Sequence, residues 1–280
     1  MTSFDIFIAA LQPTFDTREA QSIARIVFED CFGLQPPQFS RAQLTTAQNE
    51  QLQSILTALL AGQPLQYILG QADFYGLKFK VDPRVLIPRP ETEELVEWVL
   101  ETIRTHDPQQ NLSVLDIGTG SGCIPITIAK KSPRTIVWGL DVSADALALA
   151  DENANLNQVE IRWQEQDILN QEAWTSLPIF DLIISNPPYI PLREQVLMPA
   201  QVSKHEPHLA LFVPDEDPLL FYRAIAAFAQ IHLNPNGFLF FECNEYNALE
   251  LKLLLESMAW SDVVLKEDLS GKLRMIRATR

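Results

Sequence analysis

Hydrophobic positions divide the chain into two stretches of different rhythm. Up to about residue 70 they recur at helical spacing, as Ile23, Ile26, Val27 and Cys31 within 20–32, and again through 52–60. Gly33, followed by Pro36 and Pro37, predicts a helix stop, and Ser40 opens a further short helical stretch. The segment reads as a small helical domain closing near Gly62-Gln63-Pro64, and by itself as a stabilising or oligomerising appendage. From Phe74 the rhythm changes. Phe74-Tyr75-Gly76-Leu77-Lys78-Phe79-Lys80-Val81 alternates after Gly76, and Asp82-Pro83 marks a turn, which predicts a strand or hairpin between two domains. An amphipathic helix then runs through Leu95, Val96, Trp98, Val99 and Ile103. Beyond it, short apolar runs at 112–117, 136–140, 159–163, 180–185 and 238–242 alternate with helical patterns such as 144–153 and 219–231. That alternation predicts an α/β fold with a doubly wound, mostly parallel sheet. Two last apolar runs, 261–265 and 273–278, flank Asp268-Leu269-Ser270-Gly271 and suggest a closing hairpin with an antiparallel edge strand. The expected division is a helical domain at 1–72, a hairpin linker at 73–88 and a larger domain at 89–280.

Composition narrows the function classes. The 280 residues are 47% hydrophobic and carry 21 Lys and Arg against 36 Asp and Glu, a net charge of −15. No Lys/Arg-rich run is present, so direct nucleic-acid binding is disfavoured. No stretch approaches the roughly 18 apolar residues of a membrane helix. Met1–Leu11 carries Asp5 in its apolar run and no basic residue before it, so it does not read as a signal peptide. Cys31, Cys123 and Cys243 stand far apart and suggest neither a disulfide framework nor a zinc site, which fits a reducing cytoplasm.

Two constellations carry chemistry. In the first, the strand Val114-Leu115-Asp116-Ile117 runs into Gly118-Thr119-Gly120-Ser121-Gly122. Glycines at this spacing let backbone pass close to a ligand. The spacing is G-x-G-x-G, not the G-x-G-x-x-G that seats a pyrophosphate. The tighter turn, preceded by Asp116, suits a ligand without phosphate, such as the methionine part of S-adenosylmethionine. Asp141, ending the next strand, can accept hydrogen bonds from both ribose hydroxyls. Asp167, after the third strand, stands where an acid could meet the adenine amine, and Ile168 could pack on the ring.

The second constellation is more specific: the apolar strand Phe180–Ser185 ends in Asn186-Pro187-Pro188-Tyr189. The prolines stiffen the backbone and remove two donors. The Asn186 side-chain oxygen and the Pro187 carbonyl remain as two rigid acceptors for the hydrogens of an –NH2 group. Tyr189 offers a flat face for a planar substrate. An amide nitrogen is a poor nucleophile, and orienting it in line with a methyl–sulfonium bond supplies much of what the reaction needs.

With these residues in view, the chain resembles the amino-methyltransferases. Pro64-Leu65-Gln66-Tyr67-Ile68-Leu69-Gly70, Phe74-Tyr75-Gly76-Leu77-Lys78-Phe79 and Val85-Leu86-Ile87-Pro88-Arg89-Pro90-Glu91-Thr92-Glu93 make it similar to the peptide chain release factor N5-glutamine methyltransferases, the HemK/PrmC family. The match runs from about Gly62 to Asn247. The resemblance implies a class I, Rossmann-like methyltransferase fold with a seven-stranded sheet and a helical N-terminal domain that helps seat the release factor. It implies a cytoplasmic enzyme that takes S-adenosylmethionine and methylates the glutamine of a Gly-Gly-Gln motif. Gly118–Gly122, Asp141, Ile168 and Asn186 would hold the cofactor, Asn186–Tyr189 the glutamine, and the Pro88–Glu91 corner would border the site. Glu242-Cys243-Asn244-Glu245-Tyr246-Asn247 and Val213–Pro218 depart from the family pattern, and both are expected to leave cradle and clamp untouched.

Alternatives stay open at this level. The same clamp serves methyltransferases of adenine in nucleic acid, a ribosomal-protein glutamine is a close rival, and an NAD oxidoreductase or a binding module without catalysis is a remoter one. His205-Glu206-Pro207-His208 lacks a third spaced ligand for a metal. Cys123 reads as a small packing residue.

Overall fold

The computed structural model describes residues 2–107 and 110–280; Met1, at which the expected helical domain begins, and Pro108 and Gln109, within the expected larger domain, lie outside the described residues. Two compact units are distinguished, Met1–Gly70 with Pro199–His205, and Gln71–Met198 with Glu206–Arg280.

The first unit contains α1 (Ser3–Leu11), α2 (Thr17–Phe32), α3 (Pro36–Phe39), α4 (Thr46–Leu60) and α5 (Leu65–Leu69). Asp16 caps α2 by accepting the Glu19 N–H at 2.9 Å, and Gly33 ends it in the left-handed region. The expectation around Pro36 needs correction. Both prolines stand in the first turn of α3, where a missing N–H costs nothing, and Ser40 closes that helix instead of opening one. α4 begins ahead of its apolar pattern because Thr45 and Gln48 cap each other across the first turn. Phe7, Phe28 and Phe39 are buried in the core of this unit, with Phe4 edge-on to Phe28 at 5.1 Å and stacked on Phe39 at 4.6 Å.

The second unit opens with a hairpin, β1 (Gln71–Phe74) and β2 (Leu77–Lys80), turned by Tyr75 and Gly76 at positive φ. Phe74 and Phe79 are buried in one cluster with Leu95, Val99 and Val114. There follow α6 (Pro90–Arg104), β3 (Ser113–Ile117), α7 (Cys123–Lys131), β4 (Ile136–Asp141), α8 (Ala144–Asn157), β5 (Arg162–Glu165) and β6 (Phe180–Ser185). Next come β7 (Ile190–Pro191), α9 (Ala200–His205), which groups with the first unit, α10 (His208–Leu211) and β8 (Phe212–Val213), with β7 and β8 paired in parallel. The chain ends through α11 (Leu220–His232), β9 (Leu233–Glu242), α12 (Ala248–Ser257), β10 (Ser261–Glu267) and β11 (Leu273–Thr279).

Seven strands form one sheet in the order β10-β11-β9-β6-β3-β4-β5. The strands from β9 to β5 are parallel, and β11 runs antiparallel to β9. The expected closing hairpin is present, but its inner strand β11 is the antiparallel partner of β9 and β10 forms the edge. β5 starts later than its apolar run predicts. The Val159 N–H instead donates to the Ala154 carbonyl, closing α8 with Gln158 in the left-handed region. Alternate strand residues serve opposite faces: Leu115, Ile117 and Ile183 enter one buried cluster, and Val114, Leu182 and Ile184 the other. The architecture is the doubly wound α/β class with a separate helical unit.

Candidate active site at the carboxyl edge of the sheet

In the sheet, β3 lies between β4 and β6. The chain runs outward through β4 and β5, then returns to the far side of β3, and such reversals are where open α/β sheets form ligand crevices. Register sets Ile117 beside both Leu140 and Ser185, so Gly118, Asp141 and Asn186 leave the sheet at one level. The Ser185 hydroxyl donates to the Ile117 carbonyl at 2.6 Å, and the Gly118 and Thr119 N–H groups donate to the Leu140 carbonyl at 2.8 and 3.1 Å. A cavity of about 390 Å³ opens there, lined by Gly118, Gly120, Asp141, Asp167, Ile168, Asn186, Pro187 and Pro188 among others. Small-molecule sites span roughly 300–1,000 Å³.

The glycine turn serves two purposes. Gly118 and Gly120 adopt φ of +75° and +52°, and a Cβ on either would meet nothing within 4 Å. The backbone conformation excludes side chains there, and the side they would fill stands open. Gly122 differs, since a Cβ would come 2.9 Å from Ile126 Cδ1 and 3.3 Å from Trp163 Cη2. Thr119 and Ser121 are buried and do not line the cavity. Asp116 is fully buried, and neither carboxylate oxygen has a hydrogen-bond partner among the described residues. Burial pushes its pKa up to about 7.

Asp141 ties the two loops together. Its Oδ2 accepts the Gly120 N–H at 2.8 Å and its Oδ1 the Ser143 N–H at 2.9 Å. Burial raises its pKa while these backbone donors hold it back. Asp167 is exposed on the cavity wall with Oδ1 accepting the Leu169 N–H at 2.8 Å, and Ile168 is buried beside it. Gln166, which sequence reasoning passed over, also lines the cavity, and its Nε2 is buried without a partner among the described residues.

Asn186 Nδ2 donates to Thr92 Oγ1 at 3.3 Å, and nothing among the described residues donates to its Oδ1 or to the Pro187 carbonyl. Thr92 in turn donates to Glu242 Oε2 at 2.6 Å, and the Tyr189 hydroxyl meets Glu242 Oε1 at 3.4 Å. The Tyr189 ring packs against a core cluster, and burial raises the pKa of its hydroxyl. Glu242 stands here because β6 and β9 pair Ser185 with Phe241, which sets the next residues, Asn186 and Glu242, side by side. The segment beginning at Glu242 therefore reaches the clamp, contrary to expectation.

Around this centre, Glu206 is buried and holds the preceding corner. Its Oε1 accepts from Arg89 Nη2 at 2.5 Å and its Oε2 from the Ile87 N–H at 3.2 Å. Cys123 is buried, and desolvation pushes its thiol up to about 12, which suits packing and not nucleophilic attack. Among the described residues no group of three His, Cys, Asp or Glu side chains could hold a metal, and no helix is long and apolar enough to cross a membrane.

Comparison with known proteins decides the family. Residues 11–70 match the PrmC N-terminal domain and residues 96–202 the Methyltransferase small domain. A release factor glutamine methyltransferase of Flavobacterium psychrophilum is 43% identical over 97% of this chain and 95% of its own length. The chain belongs to the release factor glutamine methyltransferase family. Another member, from Bacteroides thetaiotaomicron, is 36% identical over 97% of this chain and 96% of its own length. Among solved structures, a methyltransferase from Pyrococcus furiosus shares the fold with TM-score 0.52 at 19% identity, covering 82% of this chain and 98% of that one. A T. thermophilus 16S rRNA N2 G1207 methyltransferase, solved with AdoMet and guanosine, gives 0.54 at 19% identity over 75% of this chain and 49% of its own.

In this member of the release factor glutamine methyltransferase family, Gly118, Gly120, Asp141, Asp167, Ile168, Asn186, Pro187 and Pro188 line the cavity as expected from the sequence, Thr119, Ser121, Gly122 and Tyr189 do not, and Thr92, Gln166 and Glu242 were not foreseen. One signal for Glu242 was available: an acid directly after the apolar run Phe238–Phe241 must be buried or stand at the strand's functional end. Thr92, in the first turn of α6, carried no such mark.

Proposed function

We propose that this chain transfers a methyl group from S-adenosylmethionine to the side-chain amide nitrogen of the Gly-Gly-Gln glutamine in peptide chain release factors, acting in the cytoplasm. The observation that carries the reading is a pair of acceptors with no donor among the described residues, Asn186 Oδ1 and the Pro187 carbonyl, on two residues that line the same cavity as Gly118, Gly120 and Asp141.

The cavity suits the donor. The open sides of Gly118 and Gly120 allow backbone to approach the methionine part, Asp141 keeps lone pairs for the ribose, and Gln166, Asp167 and Ile168 surround the adenine end. When bound, S-adenosylmethionine supplies an electrophilic methyl carbon. Asn186 Oδ1 and the Pro187 carbonyl take the two amide hydrogens of the glutamine and orient its nitrogen, while Tyr189 offers its ring to the amide plane. The same oxygens would stabilise positive charge growing on that nitrogen as the N–C bond forms and the sulfur–methyl bond breaks, leaving the neutral thioether, and the proton made acidic by the new bond would pass to solvent. No strong base is needed beforehand. The helical unit at 1–72 is assigned to helping seat the protein substrate, with the hairpin at 73–88 as connector and 89–280 as the catalytic part; direct nucleic-acid binding is not part of the reading.

The test is label transfer from radioactive S-adenosylmethionine into a mixture of release factor, ribosomal proteins and DNA, read by peptide mass spectrometry. Label is expected at the Gly-Gly-Gln glutamine. Asn186→Ala should lower kcat about 100-fold or more, in the range for removing one transition-state hydrogen-bond partner, with cofactor affinity changing only a few-fold. Label in DNA or in a ribosomal protein, with release factor unlabelled, would overturn the assignment.

A further inference from the structure

The clamp works only if the right end of the Asn186 amide faces the substrate. Oxygen outward gives two acceptors for an –NH2 group; nitrogen outward sets donor against donor. The amide can turn between these states at little steric cost, so something must choose.

We propose that Thr92 and Glu242 are positioning residues that lock the Asn186 amide with its oxygen toward the substrate. The Thr92 hydroxyl owns a single proton. Its partner at 2.6 Å is a carboxylate oxygen, Oε2 of Glu242, and that length is typical of a charge-assisted O–H···O⁻ bond. With the proton committed there, Thr92 Oγ1 can only accept from its other neighbour, the Asn186 amide at 3.3 Å. Nδ2 can supply a hydrogen in that direction and Oδ1 cannot. An inverted amide would press lone pair on lone pair. Thr92 and Glu242 are 3% and 2% exposed, so water is excluded as a substitute partner.

The arrangement needs the charged form of Glu242. Burial, with the nearby Glu91 carboxylate, raises its pKa above the ordinary glutamate value, while the Thr92 hydroxyl, the guanidinium of Arg274 and the Tyr189 hydroxyl work for the charge. The other carboxylate oxygen faces the Tyr189 hydroxyl at 3.4 Å, so one acid serves both the amide holder and the stacking ring. Three elements contribute: α6 brings Thr92, the end of β6 brings Asn186, and β9 delivers Glu242 through its register with β6.

The inference rests on the proposed glutamine chemistry, and its test separates the two. Thr92→Val keeps the shape and removes the hydroxyl, whereas Thr92→Ser keeps the hydroxyl. Single-turnover transfer to release factor, cofactor affinity by calorimetry and melting temperature are measured for each. Thr92→Val is expected to lower kcat about 10- to 100-fold, as a misaligned reacting group does, with KM for release factor and cofactor Kd changed less than about 3-fold. Thr92→Ser should restore most of kcat. Glu242→Gln should slow the Thr92 enzyme several-fold and add nothing in the Thr92→Val background. Wild-type kcat in Thr92→Val, a serine variant as slow as the valine one, or independent and multiplying effects of the two substitutions would each overturn the relay. If wild-type protein leaves the glutamine unlabelled, the substrate assignment falls instead, and the same comparison is made on the –NH2 acceptor that takes the label.

Discussion

A buried carboxylate that lacks strong hydrogen bonds destabilises the protein that holds it, and Asp116 is such a group, enclosed at the end of β3 with only the Thr119 hydroxyl counteracting its burial. Its folded-state pKa of about 7 lies above the value of about 3.9 expected in an unfolded chain. Across that window the native protein keeps a proton that the unfolded chain releases, so this residue's contribution to stability declines as pH rises from about 4 to about 7 and stays low above it. Asp116→Asn cannot titrate. Denaturant unfolding at pH 5 and pH 8 should show the variant gaining on wild type at the higher pH, by about 2–3 kcal/mol. An equal difference at both pH values would show that Asp116 is ionised throughout. At this scale legibility depended on whether a residue's meaning is local. Asn186 and its prolines announce a clamp because strand, stiff corner and acceptors are consecutive. Thr92 and Glu242 lie 150 positions apart, and only folding shows that one carboxylate dictates the proton of one hydroxyl.

Elements succeed or fail on what covers them. β6 was read with its ends correct because its run is apolar on both faces, as a central parallel strand must be. The start of α4 and the start of β5 were missed because polar caps and turns, and not apolar rhythm, set those boundaries. The close pairing of β4 with β5 hangs on a single small residue. A Cβ at Gly139 would stand 2.6 Å from Cε3 of Trp163 and 3.1 Å from Thr119 Oγ1. The indole cannot swing clear freely, because its N–H donates to Asp151 on α8 at 3.1 Å and its far edge meets the Gly122 position. Gly139→Ala should therefore cost about 1–3 kcal/mol, the usual penalty for overpacking. It should lower the midpoint of urea unfolding without changing its slope. Unchanged stability would mean that the strand ends yield more readily than their packing suggests.

For the whole molecule, the alternation of strand and helix signals was enough to foresee a doubly wound sheet, and the shift in rhythm near residue 70 foretold a separate helical unit. Strand order and register were beyond reach, since they arise from pairings between distant segments. The tryptophans offer a selective probe of the larger unit: Trp98, Trp138, Trp163, Trp174 and Trp260 all fall within it. S-adenosylmethionine at about 100 times its Kd should stabilise the native state by about 2.7 kcal/mol. A tryptophan-monitored melt should then rise by roughly 5–10 °C for a chain of this size. A melt indifferent to the compound would place its binding elsewhere. The clamp described above also bounds the product. Two fixed acceptors count two hydrogens, and a glutamine that has received one methyl group has a single N–H left, with a carbon where the other hydrogen stood. Such a side chain can satisfy only one oxygen while thrusting its methyl at the second. On the proposed reading, Asn186 and Pro187 would make the reaction self-terminating, and the modified residue would leave as the secondary amide.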